Sequence, residues 1–518
     1  MTITTAKLPG KALRLTPLAL AVLFMSAECR ADWKFTPRVD LRETYSDNAA
    51  LRGDDQASSQ WISEAAPAFR LVGNGDRLKL NASGQWHMYG YSKKDEASLA
   101  DSYTQYQAQA LAKVIDQLLY VDAGASRSRQ TVSAFGQLSG NPYTTTNSTN
   151  ISSWHVAPYL QHRFGSSATA TLRYTRDSVD GGAHNAFGNT LGSTRSASLV
   201  SGTSFNDIGW NLAYSHQDLH SGVAGDSSSE NSSAGLRWRL VPRFSLTADA
   251  TYDKYEYPTL SDRTRGRGWS GGFIWTPSSR TSVQASYGRR YYGKTGSLAA
   301  SHRGHHSLWT LGYTDGVTNS RSQLLLPSTV DTASMLDRMF LASYPDPALR
   351  QQAVQTYMAV TGLPPSLPSS INYLSNRYIR DKRLQGALVL MGARSNLSLS
   401  VFRDERRALS LQQSDSALLS DRLAALNDNV RQHGFTLNLD RRLSSRTSAL
   451  ASVSSVHVQS IDTGIVNDNR ELRLGLMRRV DANTRGSLEV RHLHGGLSLN
   501  SKDTYQENAV AATLSVQF

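Results

Sequence analysis

Cysteine is almost absent: Cys29 is the single one in 518 residues. A disulfide scaffold and a CxxC metal or redox site are therefore both excluded. Lysine is scarce too, with 11 Lys leaving 44 Arg among the 55 cations. Beyond the first 31 residues no apolar run reaches the roughly 20 residues that a spanning helix needs, which excludes a helical membrane bundle. What the chain does have is 39% hydrophobic residues in short, regularly interrupted groups, 19% charged residues and a formal net charge of +13.

The start of the chain sets the compartment. Lys7, Lys11 and Arg14 precede a short apolar stretch from Leu15 to Met25, followed by Ser26 and Glu28. Residues 1–31 read as a secretory signal peptide, cleaved after Ala31. Glu28 is not the small residue a lipoprotein signal needs before Cys29. The removed part carries net +3, leaving +10 on residues 32–518. An exported chain with its Arg spread from end to end argues against a nucleic-acid partner.

The dominant pattern has period two. Phe244, Leu246, Ala248, Ala250 and Tyr252 alternate with Ser245, Thr247, Asp249, Thr251 and Asp253. Leu78 to His87 and Phe435 to Asp440 behave alike. Successive strand side chains point to opposite faces, so each segment has one apolar and one polar side. A soluble sandwich would share this, but short turns such as 73–76, 241–243 and 481–483 alternate with long polar loops such as 130–151, 218–230 and 405–427. Transmembrane barrels have short periplasmic turns and longer outer loops. Twenty-two candidate strands run from 33–45 to 507–518. Among them are 281–293, 304–314 and 319–326, the last included because strand direction fails to alternate without it. The expected fold is an all-β transmembrane antiparallel barrel of about 22 strands over residues 32–518, in the outer membrane of a Gram-negative bacterium.

The last segment places Val510, Ala512, Leu514, Val516 and the terminal Phe518 on one face. It resembles the final strands of outer-membrane barrels, whose aromatic end the barrel-assembly machinery reads; Val516 and Phe518 are the candidate signal. Residues 328–373 break the β pattern. Asp331 suits a helix cap, Asp346-Pro347 a second start, and Gly362 with Pro364-Pro365 a stop. A helical hairpin is expected there, as an outer cap or folded into the lumen, and a further helical piece at 415–426.

The order of these features resembles a family of outer-membrane proteins associated with PEP-CTERM and exopolysaccharide gene systems. The matching residues are Trp33-Lys34-Phe35-Thr36-Pro37-Arg38-Val39, Glu43-Thr44-Tyr45-Ser46-Asp47-Asn48, Ala66-Pro67, and the 331–365 pair followed by Leu374-Ser375-Asn376-Arg377. The resemblance covers essentially the whole mature chain through short, degenerate motifs. It departs at Ala66, where the family tends to have Pro-Gly nearby. It implies a link to surface polysaccharide, with polysaccharide-export components as partners, and supplies no catalytic residues.

For an enzyme, the 13 His and many Ser form no motif that singles out a Ser–His–acid trio. His492 and His494 share a strand face without a third ligand at metal-binding spacing, and no cofactor is called for. For a channel, alternation puts Lys79, Arg173, Arg237, Arg239, Arg290, Arg473 and Arg491 on the lumen side. Arg binds carboxylate or phosphate through its planar fork, so this set could pass an acidic polymer. Asp249, Asp253, Asp440 and Glu489 share that side, and a cross-strand Arg–carboxylate ladder would serve rigidity alone. Trp86, Trp210, Trp238, Tyr214, Tyr252 and Tyr287 fit lipid-interface girdles. The reading is a pore or export channel for polysaccharide or another large polar solute. Its rivals are a structural or adhesive barrel with a blocked lumen and a barrel hydrolase.

Overall fold

The computed structural model describes residues 32–93, 99–137, 143–181, 189–222, 225–257, 264–325, 373–410, 426–496 and 504–518. The leader, most of 328–373 and most of 415–426 lie outside them.

Twenty-two strands form one sheet. The first six are β1 (Asp32–Ser46), β2 (Gln60–Asn74), β3 (Leu78–Tyr91), β4 (Ser102–Ile115), β5 (Leu119–Thr131) and β6 (Ser148–Phe164). Then come β7 (Ala168–Asp180), β8 (Asn189–Ser201), β9 (Ile208–Ser221), β10 (Ser227–Val241), β11 (Phe244–Glu256) and β12 (Arg265–Ser278). A tight hairpin of β13 (Thr281–Arg290) and β14 (Gly293–Arg303) leads to β15 (Ser307–Thr318) and a short helix α1 (Ser320–Leu325). The remaining strands are β16 (Ile379–Met391), β17 (Ser395–Ala408), β18 (Asn429–Arg442), β19 (Thr447–Ser460), β20 (Val466–Arg479), β21 (Thr484–Gly496) and β22 (Thr504–Gln517). Each strand pairs antiparallel with its chain neighbours, and β22 returns to β1 from Arg38↔Gln517 to Ser46↔Ala509. The sheet is a closed barrel without a free edge, which satisfies the backbone inside a membrane.

The register confirms the alternation. Leu236, Trp238, Leu472, Leu474, Val510 and Leu514 are exposed on the outer surface, as lipid-facing residues are in a protein without its bilayer. Trp86, Trp238, Tyr214, Tyr252 and Tyr287 are exposed with them. β1 begins and β22 ends at the short-turn side, which is the periplasmic end of such barrels.

One expected strand is corrected. Residues 320–325 are helical, and the stretch between the expected strands 281–293 and 304–314 is itself a strand, Gly293–Arg303. The demand for one more strand was right; its place was not. Asn319 caps α1, its Oδ1 accepting from the Ser322 amide and hydroxyl, both at 2.8 Å. β14 was hard to see because its outward set includes Lys294, Gly296 and Ala300, poor strand formers. Its turn also lacks the usual residues: Tyr291 and Tyr292 make it, with Gly293 at φ +116° supplying the left-handed step.

Candidate functional site

The inward residues differ around the barrel. From β8 to β15 they are mostly small, including Ser196, Ser215, Ser233, Thr251, Gly272 and Ser286. On β3 and β4, Gln85, Gln105, Gln107 and Gln109 line a cavity of about 1290 Å³. Gln105 donates to Gln85 at 3.2 Å, and Gln85 to Asp40 at 3.1 Å. Neutral amides and hydroxyls thus dominate much of the wall.

All seven expected inward cations lie on the lumen side of the register, and they divide into two groups. Four belong to ladders. Arg173 meets Asp122 at 3.2 Å and lies over the Tyr159 ring at 4.5 Å, and Tyr159 stacks on Tyr120. Arg290 grips both oxygens of Asp253 at 3.1 and 3.3 Å. Arg473 pairs with Glu471 and reaches Glu489 at 3.9 Å, and Glu489 also meets Arg42 at 3.4 Å. Arg491 donates to Glu507 at 2.9 Å, where Ser46 donates at 2.7 Å. The other three, Lys79, Arg237 and Arg239, have no ion-pair partner among the described residues and sit towards the periplasmic end. Opposite Arg237 is Gly209, where an added Cβ would lie 3.0 Å from the guanidinium.

Sequence reasoning missed two chain segments that fold inward across the outer mouth. Residues 132–137 and 143–147, between β5 and β6, reach towards β18, β20 and β1. The Ala134 amide donates to Asn427 Oδ1 at 3.0 Å, Asn467 donates to the Gly136 carbonyl at 3.2 Å, and Tyr143 meets Thr44 at 2.9 Å. The second segment comprises α1 and residues 373–378. Arg321 of α1 pairs with Asp177 on β7, far around the barrel from β15. Leu374 donates to the Thr131 carbonyl at 3.1 Å and packs with Ile151, Val179, Leu324 and Leu325. Tyr373 lies under Arg406 at 4.7 Å, within a cluster of Phe135, Val430, Val456 and Val458.

Both family-like motifs do structural work. Asn48 donates from Nδ2 to the Arg52 and Gln506 carbonyls, each at 2.8 Å, and Asp47 accepts from the Asn508 amide and side chain. These contacts fasten the outer end of β1 to β22. Arg377 pairs with Asp428 and donates to the Ser410 carbonyl, fixing the return of the chain to β16. Burial pushes the Asp428 carboxyl up from its ordinary value against the pull of Arg377. At the opposite end, two backbone amides at 2.7 Å, from Asn483 and Thr484, hold the Asp481 carboxyl below the usual carboxylate range.

A helical hairpin over 328–373 is outside the described residues, except that Tyr373 itself is buried beside Thr131. His492 is on the outward face, its Nδ1 2.8 Å from Asn508 Oδ1. Among the described residues no group of three or more His, Cys, Asp or Glu could hold a metal ion.

The fold defines a transmembrane β-barrel of the outer-membrane type. No protein-family model and no curated protein matches the chain. Among solved structures it is similar to the siderophore receptor PirA from Acinetobacter baumannii, at 8% identity and a TM-score of 0.49, covering 94% of this chain and 80% of that one. The FrpB iron transporter from Neisseria meningitidis aligns at 11% identity and 0.47, covering 94% and 83%. The outer membrane protein opdK from Pseudomonas aeruginosa aligns at 8% and 0.35, covering 94% and 99%.

Proposed function

We propose that this chain, exported by its leader and inserted through the terminal signal at Val516 and Phe518, is a passive outer-membrane channel for a large polar solute. Polysaccharide is the solute class favoured, and membership of the PEP-CTERM-associated, exopolysaccharide-linked family is part of the same reading. The observation that carries it is the lumen wall. A cavity of about 1290 Å³ is faced mainly by Gln, Ser and Thr, which exchange hydrogen bonds with hydroxyl-rich solutes without holding a charge tightly, with Arg70, Arg383, Asp381 and Glu471 among the charged groups between them. Selection would come from pore size, the inward segments and the Arg237–Arg239 pair.

Planar-bilayer recording of the full-length barrel tests this. Discrete openings are expected, with an anion preference that falls when Arg237 and Arg239 are both changed to Gln. Replacing Arg473 with Gln should lower the anion preference as well, because it uncovers the carboxylate charge of Glu471 and Glu489 that Arg473 offsets. A folded, heat-modifiable barrel with no current, even after removal of residues 328–372, would favour the alternative, a structural or adhesive barrel with a blocked lumen. The inward segments are the observation on that side.

A further inference from the structure

The short-turn end of the barrel holds a concentration of positive charge. Residues 32–36, 74–79, 113–120, 162–169, 200–208, 239–245, 276–282, 301–308, 391–396, 440–448, 477–486 and 514–518 form this rim. They carry sixteen Lys and Arg against six Asp, a net +10. That equals the whole net charge of residues 32–518, so the remaining residues of that span sum to zero.

Three features give the rim a direction. First, the cations at its strand ends face mainly inward. The register puts Lys79, Arg163, Arg239, Arg442, Arg479 and Arg485 on the lumen side, while Arg441 and Arg478 fall on the lipid side. Attraction to lipid headgroups would favour the opposite distribution. Second, none of those six inward cations has an ion-pair partner among the described residues; higher in the lumen Arg173, Arg290, Arg473 and Arg491 are paired, while Arg70 and Arg237 are not. Third, Arg479 and Arg485 stand directly opposite each other in the β20–β21 ladder. Like charges in that position destabilise a sheet, so stability does not account for them. A rim with a large excess of one sign around a low-dielectric opening focuses its field into the opening and raises the local concentration of counter-ions, even with Asp440 beside Arg442 on the inward face.

We propose that the periplasmic rim captures an acidic polysaccharide and feeds it into the lumen. Repeated carboxylates would meet the rim first, where Arg forks bind them bidentately. The chain would then pass to a wall where Ser, Thr and Gln outnumber charged groups and most cations are paired, so it is held less tightly and can advance. The polymer class and the outward direction rest on the channel reading; capture of a polyanion at the rim does not.

The test uses the full-length barrel and fluorescent polygalacturonate, with neutral dextran of equal length as the control. Fluorescence anisotropy on detergent-purified protein reads binding without requiring current. Polygalacturonate should bind, dextran should not, and binding should weaken as ionic strength rises to about 0.15 M. Changing Arg239, Arg442, Arg479 and Arg485 to Gln should weaken it about ten-fold or more, while Arg441→Gln with Arg478→Gln should not. In planar bilayers, polygalacturonate should block current from the short-turn side only. Binding that is insensitive to salt, survives the four-fold change, or is matched by dextran overturns the proposal, as does equal block from both sides. The salt series uses the parent protein and stands even if the four-fold variant misfolds. A conducting barrel that fails to bind removes the rim proposal alone; a binding barrel that never conducts removes the channel and leaves capture.

Discussion

The Arg491–Glu507 pair lies inside the wall with 3% and 0% of its side chains exposed. Removing water from two ions is costly, and their mutual contact and the Ser46 hydroxyl help to offset it. Arg491→Met should therefore destabilise the barrel by about 3–5 kcal/mol, because it strands the Glu507 charge. The double change with Glu507→Leu should recover most of the loss. Denaturant unfolding of the micelle-bound protein measures both; equal losses in the single and double variants would show the pair to be unimportant. Arg491 and Arg237 looked alike in the sequence, since parity reports only which way a side chain points. What distinguishes them is whether a carboxylate stands on a neighbouring strand at the same level, and that depends on register. Val456 and Val458 depart from the rule that apolar residues face outward. They fall in the inward set with Ser452 and Ser454, and they are apolar because inward-folded chain, not water, covers them.

Elements were legible in proportion to their contrast. β11 and β20 have bulky outward residues and polar inward ones, so both are plain in the sequence. β14 has too little contrast, and α1 is too short to show helical periodicity; its Asn319 cap was the one available signal. α1 is also the element most open to manipulation. Gly192 on β8 leaves room for the Arg321 guanidinium to reach Asp177, and a Cβ there would collide with it. Arg321→Ala leaves a buried carboxylate unpaired, a loss of about 3–5 kcal/mol that falls on the inward segment. Longer and more frequent high-conductance openings are expected in single-channel records, with barrel heat-modifiability retained. Dwell times identical to those of the parent would mean that α1 does not limit passage. The same variant would stay silent if the chain around Phe135 and Tyr143 alone closed the mouth, and recordings of a Tyr143→Ala variant would reveal that.

At the scale of the whole molecule, the outside of the barrel is an oily belt and the inside a polar wall. Leu474 stands near the middle of β20 on the lipid side, exposed at 49%, directly between Arg473 and Gly475 on the lumen side. Leu474→Arg should cost about 2–4 kcal/mol if it lies at the bilayer midplane. The midpoint of urea unfolding in lipid vesicles measures it, and no shift would mean that this belt is not in contact with acyl chains. Strand count and architecture were readable because the belt imposes its rule on every strand. The inward segments were not, since nothing local marks a loop that turns into a lumen.

The pairing of β1 with β22 joins residues about as far apart in sequence as this chain allows. Neither strand can complete its hydrogen bonding until β22 has been made, and contacts of such long range form slowly. Before that moment the polypeptide carries two exposed edges, each a template for joining a stranger. Maturation is thus all-or-none, and a polypeptide missing its last strand would be an aggregation hazard for the cell's chaperones and not a weakened version of the finished vessel.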